Sequence, residues 1–305
     1  MAETPDPLLL IVGEVIVLTQ RDCSADPPTT RAPDPSGAPA ISAYIAARLG
    51  VPTAFVGGIG EDGPGRLFRD RLDAAGVLPG TLAVRADLPT ATAIADYFAD
   101  GSRAFHFSVV GSAATAIAAE QLADLPERAS WMHVSGSALV FGDPLAATVL
   151  AAAKRAKAAG ATICVDPNIR AEAITPPALA QLHELVAMAD YALPSEGELE
   201  YLGITEQSLL ERGVVVVHTL GPDGCEVATP DGERTAIPAV HAGRTDLDTD
   251  GAGDTFAAAF VAATMAGARP VAAARFASEI VARAITVIGP MTVELSPDDL
   301  RAARS

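Results

Sequence analysis

The chain reads as an α/β protein: a doubly wound, mostly parallel sheet with a small antiparallel β lid. Three observations predict this. Short apolar runs of buried-strand character alternate with longer Ala-rich segments of helical character along most of the 305 residues, the pattern of parallel strands joined by helical crossovers. One stretch, between about Gly80 and Ser108, replaces that alternation with two strand-like segments around a tight polar turn. Half of the residues are hydrophobic, which supplies one sizeable core. A single domain over 1–305 is expected, with lid strands inserted at about 80–110.

The elements follow in order. Leu8-Leu9-Leu10-Ile11-Val12 is a buried strand that ends at Gly13-Glu14. Asp26 to Pro35 is Pro-rich and reads as a loop. Ser36-Gly37 then opens a helix through Ile41, Ile45 and Leu49 that stops at Gly50. Thr53-Ala54-Phe55-Val56 is the next strand, and the glycine-rich turn Gly57 to Gly65 leads into a helix ending at Ala75-Gly76. In the inserted stretch, Thr92 to Phe98 and Arg103 to Phe107 flank Ala99-Asp100-Gly101-Ser102 as a hairpin. Alternation resumes with strands at Trp131 to Val134, Thr162 to Val165, Tyr191 to Leu193 and Val214 to Thr219, with helices between. A second hairpin spans Cys225 to Ile237, turning at Pro230-Asp231-Gly232. Helices from Asp254 to Met265 and from Val271 to Ile288 close the chain.

Composition narrows the chemistry. A formal charge of −17 argues against nucleic acid or an anionic membrane as a partner. An anionic ligand must then be drawn in by local features. The lysines are Lys154 and Lys157, both in a helix-like segment, and no Gly-Lys-Ser/Thr phosphate loop occurs. Cys23, Cys164 and Cys225 are too scattered for a disulfide framework or a zinc site. No apolar run approaches the ~18 residues of a membrane span, and the acidic start Met1-Ala2-Glu3 lacks the basic flank of a secretory signal. A cytoplasmic protein is expected.

The most informative segment is Asp248-Thr249-Asp250-Gly251-Ala252-Gly253-Asp254-Thr255-Phe256. Its Gly-Ala-Gly turn leaves backbone N–H groups bare at the start of an Ala-rich helix. Orphan amides and the helix dipole together make an anion site there. Asp254 in the same first turn suits a general base that deprotonates a hydroxyl for attack on a phosphate held by those amides. The alternative is an Asp that merely stabilises a helix start.

This nonamer closely resembles the D-T-x-G-A-G-D signature of the ribokinase-like (PfkB) family of sugar and nucleoside kinases. The resemblance implies ATP-dependent phosphorylation of a sugar-like hydroxyl, with Asp254 as base and the amides of Gly251, Ala252 and Gly253 as the anion hole. It also implies Mg²⁺ on the phosphates and admits a monovalent cation such as K⁺ near Asp248 and Asp250. Other segments match. Thr219-Leu220-Gly221-Pro222-Asp223-Gly224 resembles the nucleotide turn T-x-G-x-x-G, which assigns Thr219, Gly221 and Gly224 to ATP, and Ser278 falls where the family often places a residue beside adenine. Asp166-Pro167-Asn168-Ile169-Arg170 resembles the substrate-contacting D-x-N-x-R of the fructokinase and keto-sugar-acid branches; a simple Pro turn with solvated charges is the alternative. Ser36 and Gly37 sit in the sugar-contacting glycine turn. Glu198 in Ser195-Glu196-Gly197-Glu198 fits the position that organises Mg²⁺ through water, although a surface helix rich in Glu looks much the same. Gly57 to Gly65 resembles a further family turn, and a plain strand-to-helix loop explains most of it. The lid strands would cover the sugar and pair with another subunit's lid in a homodimer.

The departures bear on the substrate. Ser36 replaces a glycine, Ile41 an asparagine and Ser195 another asparagine, and Leu18 stands where many sugar kinases place a sugar-binding aspartate. Glu14 or Asp22 could supply the missing contact, and each is equally readable as a surface or strand-end carboxylate. The lid around Val109-Val110 lacks the arginine that binds a substrate carboxylate in the keto-acid branch. A neutral substrate, less polar than ribose, is expected. The rival is a regulatory binding protein that keeps the fold without catalysis; the intact Asp254 weighs against it. A nicotinamide dehydrogenase is set aside, since no early G-x-G-x-x-G follows the first strand.

Overall fold

Strand β1 (Leu9–Val12) is apolar and buried at every position, which suits a central strand covered on both faces. The computed structural model describes residues 7–100, 102–244 and 247–302. The acidic residues 1–6 and Gly101 of the lid turn lie outside the described residues. After β1 come β2 (Ile16–Asp22), β3 (Thr29–Thr30) and β4 (Asp34–Ser36), then α1 (Ala38–Arg48), β5 (Thr53–Gly60), α2 (Gly63–Ala75) and β6 (Leu82–Arg85). The hairpin β7 (Thr92–Tyr97) and β8 (Arg103–Ser108) follows, then α3 (Leu125–Arg128), β9 (Trp131–Ser135), α4 (Leu145–Ala158), β10 (Thr162–Asp166) and α5 (Pro176–Met188). The second half continues with β11 (Tyr191–Ala192), α6 (Glu198–Tyr201), α7 (Glu206–Leu210), β12 (Val215–Thr219) and the hairpin β13 (Cys225–Ala228) and β14 (Arg234–Ile237). It closes with α8 (Ala252–Met265), α9 (Pro270–Ala284) and α10 (Pro297–Ala302).

The main sheet has the order β14-β13-β12-β11-β10-β9-β1-β5-β6. Its pairs from β12 to β6 are parallel, and the hairpin β13–β14 adds antiparallel strands at one edge. The doubly wound sheet expected from the alternation is therefore present. The chain runs from β1 outward to β5 and β6, then returns to β9 on the other side of β1. That reversal makes the gap between the carboxyl ends of β1 and β9 the switch point where open α/β sheets bind ligands.

Two apolar layers cover the sheet. One packs α1, α2, α8 and α9 against side chains such as Ile11, Phe55 and Val217; the other packs α4 and α5 against Leu10, Val134 and Val165. Helix α8 is buried from Asp254 to Ala263, and its alanines let α1 and α9 approach from both sides. The serine hydroxyl of Ser42 on α1 donates to the carbonyl of Asp254 at 3.2 Å, a polar pin within that apolar packing. Helix α9 ends at Ala284, short of the expected Ile288, because Ile285-Thr286-Val287 is β-branched and Gly289-Pro290 follows. The chain released there returns to the site: the Asp248 N–H donates to the Ile285 carbonyl at 3.0 Å, and the Gly289 N–H donates to the Asp248 carboxylate at 3.0 Å.

The lid contains the expected β7–β8 hairpin and more besides. Strand β2 pairs parallel with β7 from Val17 opposite Thr92 to Asp22 opposite Tyr97, and β3 and β4 pair with β2. The stretch from Asp26 to Pro35, expected as a loop, thus carries β3 and the start of β4. Conversely β6, within the inserted stretch, belongs to the main sheet beside β5.

Candidate active site

Site residues converge where the carboxyl ends of β1, β9 and β10 meet the first turn of α8. Asp254 is 8% exposed, and its Oδ1 accepts from Asn168 Nδ2 at 3.1 Å. Burial raises its pKa to about 6, with the Arg170 charge and the Asn168 hydrogen bond pulling the other way. Such a carboxyl is largely ionised at neutral pH and a better base than a solvated aspartate.

Asn168 itself is fixed from two sides. Its backbone N–H donates to Asp166 Oδ1 at 2.9 Å, and its amide also donates to Ser135 Oγ at 3.1 Å. It holds φ at +39°, the left-handed region that Asn tolerates better than most residues. Ser135 Oγ lies 2.9 Å from Ser137 Oγ, and Ser137 donates to Glu14 Oε1 at 2.9 Å. Glu14 is 2% exposed, so it is not a surface carboxylate; burial pushes it up to about 7. Asp22, the other carboxylate weighed for the site, is exposed on the lid and accepts from Ser24 instead. Arg170, exposed at the rim, lowers the pKa of Glu14, Asp166, Glu198 and Asp254 alike. Asp166 is driven well above the usual carboxylate value by burial and then by the charges of Glu198 and Asp254. One guanidinium thus offsets a group of buried acids, which explains a cation in an otherwise acidic region.

The phosphate-type turn is built by packing. Gly251 adopts φ of +72°, and a side chain there would meet Pro290 Cβ at 2.8 Å and Ile41 Cδ1 at 2.9 Å. Gly253 differs: a Cβ there meets nothing within 4 Å, so its face of the helix start is open. At this start of a 14-residue helix the Ala252 N–H donates to the Thr249 carbonyl at 3.3 Å, and the helix dipole favours a negative group beside the remaining first-turn amides. The turn is also joined to the lid, for Tyr97 Oη donates to Asp250 Oδ2 at 2.6 Å and Gln20 Nε2 donates to the same oxygen at 2.9 Å.

Farther along the same edge, Thr219 ends β12, and its hydroxyl lies 3.1 Å from that of Ser195. Gly221 takes φ of +56° with open space around it. Gly224 is needed for a different reason from the one its motif suggested: a Cβ there would lie 2.1 Å from the Ile237 carbonyl oxygen, so the close approach is to the β13–β14 hairpin. Ser278 is buried and donates to the Ala274 carbonyl of its own helix at 3.0 Å, beside Cys225. Glu198 Oε1 accepts from the Ile169 N–H at 2.5 Å and Oε2 from the Ser195 N–H at 2.8 Å, joining the β10 and β11 end loops. Burial raises its pKa. Among the described residues, no group of three or more His, Cys, Asp or Glu side chains could hold a metal ion. A divalent ion carried on nucleotide phosphates would take its ligands largely from phosphate oxygens and water.

Three apolar positions that the sequence linked to the substrate are buried. Leu18 on β2, Ile41 on α1 and Val109 after β8 are 8%, 3% and 3% exposed. Ser36 lies in β4, and Gly37 with φ of +105° starts α1 against the Glu14 carbonyl, 2.9 Å from where a Cβ would stand. Ser135, Ser137, Gln20 and Tyr97 were not singled out by motif. The signal for the serines was a Ser-Gly-Ser at a strand's carboxyl end, next to the strand that carries Asp166.

Known proteins resemble this chain over most of its length. The model of the pfkB family carbohydrate kinases matches residues 7–296. A fructokinase from Klebsiella pneumoniae is 32% identical over 285 residues, covering 88% of this chain and 91% of that protein. Fructokinase-1 from Oryza sativa subsp. japonica is 36% identical over 241 residues, 74% of this chain and 72% of its own length. Among solved structures, an E. coli protein provisionally named ribokinase II, in complex with ATP and Mg²⁺, superposes with a TM-score of 0.88 at 28% identity, covering 98% of this chain and 99% of that one. A double mutant of the Vibrio cholerae O395 fructokinase, with fructose, ADP and potassium ion bound, gives a TM-score of 0.83 at 26% identity over 98% of each chain.

Proposed function

Since the chain belongs to the pfkB family of carbohydrate kinases, we propose that it transfers a phosphoryl group from ATP to a hydroxyl of a small, neutral, sugar-like molecule, with Asp254 as the base. The observation that carries this reading is the buried Asp254 carboxyl at the start of α8, held by Asn168 and brought up to about 6. Asp254 takes the hydroxyl proton as the oxygen attacks. The amides of Gly251, Ala252 and Gly253 stabilise the charge on the transferring group, and Gly253 leaves the room for it. Mg²⁺, when bound, neutralises charge on the nucleotide phosphates. Thr219, Gly221 and Gly224 shape the nucleotide end, with Ser278 on the adjoining helix, and Glu198 holds its two loops at the spacing the phosphates require. The loop bearing Asp248, tied to Gly289, is where a monovalent cation would sit, as the potassium-bound relative suggests.

Asp166, Asn168, Arg170, Ser36 and Gly37 form the acceptor end. Leu18, Ile41 and Val109 leave hydroxyls there without partners, at about 1–3 kcal/mol for each buried group. This favours a substrate less polar than ribose, and fructose, which carries more hydroxyls than ribose, is the polar comparison because the relatives are fructokinases. The stacked rings of Phe105 and Phe107 on β8, 46% and 57% exposed, support a homodimer formed through the lid. ADP release across a panel of sugars, polyols, nucleosides and 2-keto sugar acids tests the substrate class. Efficient turnover of ribose or of a keto acid above every neutral, less polar acceptor would overturn it.

A further inference from the structure

From the hydrogen-bond chain that crosses the switch point, we propose that Glu14 is a positioning residue: acting through Ser137 and Ser135, it fixes which way the Asn168 amide faces and so keeps a donor on Asp254. This rests on Asp254 being the reacting carboxyl. The chain runs Glu14, Ser137, Ser135, Asn168, Asp254, with links of 2.9, 2.9, 3.1 and 3.1 Å. It joins the end of β1 to the ends of β9 and β10 and the start of α8, four elements distant in sequence.

The chain has one consistent direction. Asn168 Nδ2 carries two protons, and Ser135 Oγ and Asp254 Oδ1 each take one. Ser135 must therefore send its own proton on to Ser137, and Ser137 must donate to Glu14 Oε1. The terminal acceptor sets the polarity of every link behind it. Ionised or neutral, Glu14 leaves Oε1 able to accept, because Oε2 is buried with no hydrogen-bond partner among the described residues and can carry the proton. Asp254 and Arg170 are the charged groups that act on Glu14, with opposite effects. Without the terminal acceptor the serines can reverse and the Asn168 amide can flip. Its carbonyl would then face Asp254, favouring the protonated form and spoiling the base.

The test reads the Asp254 carboxyl directly, by ¹³C NMR with carboxyl-labelled aspartate, the signal being assigned through its loss in Asp254→Asn. In the wild-type chain the titration midpoint is expected near 6. Glu14→Leu and Ser137→Ala should each raise it by about half a pH unit or more, the direction that follows from losing a hydrogen bond to the charged form. Glu14→Gln should restore it, since its Oε1 still accepts from Ser137 and its Nε2 occupies the place of Oε2. With ATP and whichever acceptor of the sugar and polyol panel is turned over best as probe substrates, the two raising variants should lose roughly tenfold in kcat while ATP affinity holds. Ser137→Ala alters only one hydroxyl and keeps the question answerable if Glu14→Leu does not fold. An unchanged midpoint in folded Ser137→Ala, or a Glu14→Gln midpoint raised as far as that of Glu14→Leu, overturns the proposal. Failure of the base assignment would show separately, as near wild-type turnover in Asp254→Asn.

Discussion

Asp254→Asn should lower turnover and raise stability in one protein, and the second effect can be worked from the structure. The carboxyl is buried and its pKa rises from 3.8 to about 6, chiefly through desolvation. A group whose folded pKa is raised contributes fully below its unfolded value, and that contribution fades as pH climbs through the folded value. At 1.36 kcal/mol per pH unit, the wild-type chain forfeits about 3 kcal/mol above pH 6 relative to a residue that never ionises. Asparagine is close to isosteric, and its Oδ1 can still accept from Asn168. The variant's advantage should therefore be about 1.5 kcal/mol at pH 5 and about 3 kcal/mol at pH 8, apart from a constant offset. Urea denaturation of both proteins at pH 5, 6, 7 and 8 measures the growth of that gap, urea being uncharged. Turnover should fall by roughly two to four orders of magnitude at every pH. A gap that stays flat with pH would refute the buried, destabilised carboxyl, and near wild-type turnover would refute the base.

Three further outcomes follow from single features of the site. The rate should fall on acidification with a midpoint near pH 6, because Asp254 must be ionised to accept a proton; a limb near pH 4 in the kcat/KM profile would contradict it. Gly253→Val should fold, since its side chain meets nothing within 4 Å, yet bind ATP at least about tenfold more weakly by calorimetry, as the branched group occupies the anion's approach. Gly224→Ala should lose about 2 kcal/mol or more in denaturation and Gly221→Ala clearly less, because only the former pushes a methyl into the Ile237 carbonyl; equal losses would show that the hairpin contact is not the constraint.

Much of this was legible in the sequence, for identifiable reasons. β1, β5, β9 and β10 announce themselves because strands buried on both faces are mostly apolar. The start of α8 was legible because a glycine turn running into an Ala-rich stretch has a compositional signature. The lid's true extent was not: β2 joins β7 as a parallel neighbour across some seventy residues, and no turn residue signals a non-local pairing. The Glu14 chain was hidden for a similar reason. Serine carries little pattern of its own, and only the strand order brings Ser135 and Ser137 between a β1 glutamate and a β10 asparagine. Gly224 shows a subtler limit, since a motif cannot tell a glycine kept for a ligand from one that admits the protein's own backbone, and here the Ile237 carbonyl stands 2.1 Å from where a Cβ would lie.

The bonds from Gln20 and Tyr97 to Asp250 carry a thermodynamic consequence. Both donors ride on lid strands, and their shared acceptor stands next to the turn that begins α8. Lid position and the order of that turn are therefore coupled through one carboxylate. If the lid covers the acceptor and the turn meets the nucleotide, as proposed, linkage runs in both directions: an acceptor that settles the lid prepares the turn for a nucleotide, and a nucleotide that orders the turn tightens the lid, by the same factor. Occupancy of either half without the other leaves this latch only partly engaged, so the two ligands should bind with synergy even where they do not touch.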